Sequence, residues 1–191
     1  LIDFFGKRGY KPATSNELQL QPNGQSRVLI MPVFINESGA VVEITSSRIN
    51  FQKNCNNLDR IELLKEAFES EFFDLMDAFA SLMSIVSNRM ALNCDILNSD
   101  TSSEMPTQSA YFDDANQTEM SVRNVARKEI EAEESNVIIE KYITKQGGFT
   151  KFSYDINSIG DNQAMRFHNG NINKMYKAYI AIALEIEKGL K

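Results

Sequence analysis

The sequence predicts an α+β fold: an antiparallel sheet of about six or seven strands, built from hairpins, beneath two long amphipathic helices. Three observations carry this expectation. Residues 58–86 and 171–188 repeat apolar positions at intervals of three and four. β-branched and alternating runs at 27–52 and 137–156 are divided by turn signals. Each β segment then leads into a helical pattern, so that the chain reads as two similar β-then-α halves.

Residues 1–26 contain Gly6, Gly9, Pro12, Pro22 and Gly24 and read as an irregular arm with one short strand at 17–21. Lys7, Arg8 and Lys11 form a basic cluster on it. From Arg27 the texture changes, and 27–191 reads as a single α+β domain. RVLIMPVFIN is a strand whose Pro32 favours an edge or a bulge. Glu37 to Gly39 makes a turn, and AVVEITSSRINFQ returns with Val42, Ile44, Ile49 and Phe51 inward around a bend at Ser46 and Ser47.

Asn57 is placed to cap a helix. Leu58, Ile61, Leu64, Phe68, Phe72, Leu75, Phe79, Leu82 and Val86 then keep one face apolar, as expected for packing on a sheet. Phe73, Met76 and Met83 flank this seam. Arg89 to Leu97 reads as a strand, and the Ser-, Thr-, Asn- and Asp-rich stretch 98–120 as a long polar surface loop. SVRNVARKEIEAEE is read as a further strand leading past Ser135 and Asn136 into NVIIEKYIT. Gln146, Gly147 and Gly148 close a hairpin with FTKFSYDI, in which Phe152, Tyr154 and Ile156 share a face. A final helix carries Ile172, Met175, Tyr179, Ile182, Ala183 and Ile186 on one side.

The chain has 191 residues, 42% of them hydrophobic, which is enough for a genuine core. Its 20 basic and 26 acidic residues give a net charge of −6, which argues against a generic phosphate-backbone binder and favours a cationic partner. The two cysteines, Cys55 and Cys94, read as buried reduced thiols. No apolar run approaches the roughly 20 residues of a membrane span, and no signal-peptide pattern is present; the expectation is a soluble, cytoplasmic protein.

Chemistry has few footholds. The single histidine, His168, stands beside a helix start and reads as structural, so His/Cys metal sites are nearly excluded. Asp113, Asp114, Asp155 and Asp161 are the best oxygen donors. DINSIGDN superficially resembles a calcium loop, but Ile159 falls on a ligand position and Arg166 stands where the closing glutamate belongs. Glu129, Glu131, Glu133, Glu134, Glu140 and Lys141 supply the ingredients of a two-metal nuclease without its spacing. No GxSxG elbow, GxGxxG turn or P-loop occurs. Lys151 among Phe149, Phe152 and Tyr154 makes one miniature base-stacking patch.

The sequence therefore favours a non-catalytic protein-interaction module: an accessory subunit, an antitoxin- or immunity-like partner, or a structural component. It would need no cofactor or metal and would act with a protein partner or as a homo-oligomer, with Phe73, Met76 and Met83 as interface candidates. The alternatives are a metal-dependent phosphodiester hydrolase using Asp155 or Asp161 with the strand-borne glutamates, and a nucleic-acid-binding module using Lys7, Arg8, Lys11 and the Phe149–Tyr154 face.

Overall fold

A computed structural model describes residues 1–45, 47–53, 68–98, 119–144, 150–160 and 164–189. These are 53% strand and only 23% helical, so the α+β expectation with two long covering helices is corrected to a mostly β protein. The chain divides into two units, Leu1–Phe72 and Phe73–Lys191.

In the first unit, helix α1 (Ile2–Gly6) precedes β1 (Tyr10–Leu20), β2 (Ser26–Asn36), β3 (Ala40–Ile44) and β4 (Ile49–Lys53). They form one antiparallel meander in the order β1-β2-β3-β4. The expected irregular arm thus contains a helical turn and an eleven-residue strand. Every residue of β1 has a partner in β2, from Tyr10 opposite Asn36 to Leu20 opposite Ser26. Gly39 closes the next turn at φ 81, a left-handed conformation that glycine adopts without a Cβ penalty. Pro32 lies inside the sheet order rather than on an outer strand, yet the β2–β3 register stops at Val33. Its missing N–H therefore costs no ladder bond toward β3. The core is aromatic. Phe5 stacks on Phe34 with ring centroids 3.9 Å apart, and Phe51, Phe68 and Phe72 meet at 4.8–5.2 Å.

Only the later part of the expected 58–86 helix is among the described residues, and it is irregular and ends at Ala80 rather than Val86. Glu69–Phe73 forms a π turn, followed by α2 (Asp74–Ala80). The π turn adds a residue to the 3.6-residue repeat, and Phe72 and Phe73 within it are both buried. After Ala80 the Ser81 hydroxyl bonds back to the Ala78 carbonyl, and long-range partners take over the backbone. The Asn169 side chain accepts from the Ile85 N–H, and β5 (Val86–Ser87) pairs with β10 (Phe167–His168). Leu82 and Val86, placed on the buried seam by periodicity, are consequently exposed.

The second unit is built on β6 (Ala91–Asn98), β7 (Glu119–Ile130), β8 (Glu133–Thr144) and β9 (Thr150–Ser158), ordered β6-β9-β8-β7 and antiparallel throughout. β8 and β9 pair antiparallel as the sequence predicts, with Ile143 opposite Thr150; Gln146, Gly147 and Gly148 between them lie outside the described residues. The β7–β8 turn lies at Glu131 and Ala132, earlier than Ser135 and Asn136. Helix α3 (Ile172–Gly189) agrees closely with the closing helix read from the sequence. It covers one sheet face, where Ile172, Met175, Tyr179 and Ala183 pack with Ile130, Val137 and Ile156. The expected loop at 98–120 lies almost wholly outside the described residues.

Candidate protein-interaction surface

Because β3 reaches only Val33, Phe34 and Ile35 of β2, the distal parts of β1 and β2 continue past it as a two-stranded ribbon. Side chains alternate between its faces. One face carries Leu18 opposite Val28, with Leu20 and Ile30 beside them. These aliphatics are 62%, 60%, 78% and 71% exposed, respectively. The other face carries Glu17, Gln19, Arg27 and the half-buried Leu29 and Met31. At the tip, Gln21 N–H donates to the Gln25 carbonyl at 2.8 Å and Gly24 holds φ 78, which fixes the register that puts the four aliphatics together.

A two-stranded ribbon is marginally stable in water by itself. Here it also keeps four large aliphatic side chains in solvent on one face. The signal was present in the sequence as LQLQPNGQ, an alternating run meeting an Asn-Gly turn. The density of Gly and Pro nearby hid it.

The three helix-flank candidates do not share a surface. Phe73 is buried beneath the Lys177 ammonium, and Met76 packs against the core around Tyr179. Met83, 39% exposed, lies beyond the helix end.

An open cleft in the first unit is lined by Arg8, Tyr10, Lys11, Asn36, Ser38 and Glu71. Behind it, Lys53 donates to the Ser38 hydroxyl at 3.2 Å and pairs with Glu71 at 2.7 Å. The lysine of this cluster is held in an ion pair with a carboxylate, unlike the base of a serine–lysine nucleophile pair. The cluster instead fixes the turn, because Ser38 also donates to Asn36 Oδ1, which in turn accepts from the Ala40 N–H. Burial, and then the nearby Glu71 carboxylate, push the Tyr10 hydroxyl above its ordinary pKa. The Asn50 amide and the Ser15 hydroxyl hold the Glu43 carboxyl below its own.

On the sheet face opposite α3, burial raises the Asp95 carboxyl, but the Ser153 hydroxyl and Lys151 ammonium outweigh it and leave the group below the ordinary value. Asp155 accepts from Asn157, Glu133 pairs with Arg166, and Glu134 pairs with Arg127. Among the described residues no three His, Cys, Asp or Glu side chains gather at metal-binding spacing. His168 Nδ1 accepts from the Gly170 N–H in the turn before α3. Asp113, Asp114, Asp161, Cys55 and Phe149 lie outside the described residues. Lys151 and Tyr154 project to opposite faces, and Tyr154 is buried, so the miniature stacking patch is not assembled.

Fold and surface together define a two-unit antiparallel β protein with a projecting apolar ribbon. Compared with known proteins, the chain matches no family model, no curated protein and no solved structure. No helix among the described residues is long and apolar enough to cross a membrane.

Proposed function

We propose that this chain is a cytoplasmic, non-catalytic protein-interaction module that docks a protein partner through the apolar face of the β1–β2 ribbon. The exposed quartet Leu18, Leu20, Val28 and Ile30 carries this reading. Fully burying one such side chain stabilises by about 1.5–3 kcal/mol, so a partner covering all of them gains a hot spot of useful size after the costs of association. The occupant that fits is a protein with an apolar groove or sheet face. The net charge of −6 favours a basic rim around it.

A photo-crosslinking amino acid at Leu20 in the full chain should yield a discrete partner adduct in the native host, while the same group at Gln19, on the opposite face, should not. Once that partner is purified, Leu18→Ser with Ile30→Ser should weaken binding about a hundredfold. Equal adducts from both faces, or unchanged affinity, would overturn the assignment.

A further inference from the structure

The second unit ends in an unusual edge. Among the described residues β7 pairs with β8 on one side only, and its residues are exposed on both faces from Ser121 to Glu129. A strand of twelve residues with a free row of backbone donors and acceptors is a template for another strand. We propose that β7 is an interface between two copies of this chain, paired antiparallel about a twofold axis at Ala126 to give one continuous eight-stranded sheet.

The internal hydrogen bonds determine which groups of β7 point outward. The Glu134 carbonyl accepts from the Ile159 N–H, on the β9 side of β8. Backbone groups alternate along a strand, so Glu133, Ser135 and Val137 face β7. Their partners Ile130, Lys128 and Ala126 therefore face β8. The outward groups are those of Arg123, Val125, Arg127 and Glu129. Pairing two copies in register requires outward residues to oppose outward residues, which places the twofold on a residue rather than between two.

Charge then selects among the remaining registers, because like charges directly opposite one another destabilise a strand pair. An axis at Val125 sets Arg123 against Arg127, one at Arg127 sets that arginine against itself, and one at Asn124 sets Glu119 against Glu129. At Arg123 the axis opposes two copies of the same cation. With the axis at Ala126, Arg123 faces Glu129 twice, Val122 faces Ile130, Lys128 faces Asn124, and no like charges meet.

This register also completes two local patterns. Glu129 lies opposite Glu134 within its own sheet, so a cation is wanted on its open side. The central Ala126 pair is of the non-hydrogen-bonded type, where Cα atoms approach to about 4.5 Å and a small side chain fits best. The interface adds about eight backbone hydrogen bonds.

The test is sedimentation equilibrium of the full chain with Arg123→Glu, Glu129→Arg and the double variant, alongside amide exchange at two protein concentrations. The wild type should form dimers, each single reversal should raise the dissociation constant at least about tenfold, and the double reversal should restore it to within about threefold. The amides of Arg123, Val125, Arg127 and Glu129 should gain protection at the higher concentration while those of Asn124, Ala126 and Lys128 do not. A chain that stays monomeric, a dimer indifferent to the single reversals, or a double variant that fails to recover would each overturn the proposal.

Discussion

Two small serines and one arginine show how single residues hold the second unit together. Ser135 and Ser158 face each other on β8 and β9 and are fully buried. Ser135 shares a hydrogen bond of 3.2 Å with the Tyr179 hydroxyl, and the Ser158 hydroxyl accepts from the Met90 N–H at 3.0 Å. Larger residues would push α3 off the sheet. Tyr179→Phe removes one hydrogen-bond partner while keeping the ring and should destabilise by about 1 kcal/mol in urea unfolding. Arg166 is tied more heavily. Its guanidinium donates to Glu133 at 2.7 Å, to the Asn88 carbonyl at 2.8 Å and to the Ile159 carbonyl at 3.1 Å. Arg166→Ala strips three acceptors at once and should lower stability by about 2–4 kcal/mol, with Arg166→Lys recovering only part because an ammonium lacks the planar fork.

At the scale of elements, turns separate what the sequence states clearly from what it conceals. Asn23-Gly24 and Gly147-Gly148 are conventional hairpin signals. Glu131-Ala132 is not, yet both residues hold positive φ, 51 and 64, in the two-residue turn between β7 and β8. The twelve-residue strands on either side, in continuous register, hold this strained pair in place. Ala132→Gly should relieve the strain and stabilise by about 1 kcal/mol, read as a raised midpoint in thermal unfolding. α3 was legible almost to the residue because its stripe needs only one sheet face to bury it. The 58–86 stripe misled at its C-terminal end, since Asn169 and β10 offer residues 85–87 better backbone partners than another helical turn.

For the whole molecule, alkali is the informative stress. Burial, and secondarily the neighbouring Tyr179, push the Tyr176 hydroxyl up to about 12, and Tyr10 and Tyr179 are also raised. A tyrosine raised in the folded state favours folding fully below its unfolded pKa near 10, and that contribution is lost as pH climbs through the folded value. Stability should therefore decline between pH 10 and 12, with Tyr176 contributing about 2 kcal/mol of the loss. Tyr176→Phe should flatten that part of the denaturation profile; an unchanged slope would show that this hydroxyl does not drive it.

Local pattern alone determined the closing helix, the β8–β9 pair, most of the strand Ala91–Asn98 and the absence of familiar catalytic motifs in the sequence, because periodicity and turn chemistry are short-range properties. Tertiary structure decided what those elements are for. Whether Phe73 is buried or presented depends on what packs against it, and Lys177 of α3 lies over its ring. That Leu18 and Ile30 are exposed together depends on β3 being too short to support the ribbon. The bareness of β7 follows from strand order, which no local pattern encodes. Among the described residues the surfaces that stand open are a hairpin and a sheet edge, where long-range pairing leaves apolar side chains and backbone groups uncovered.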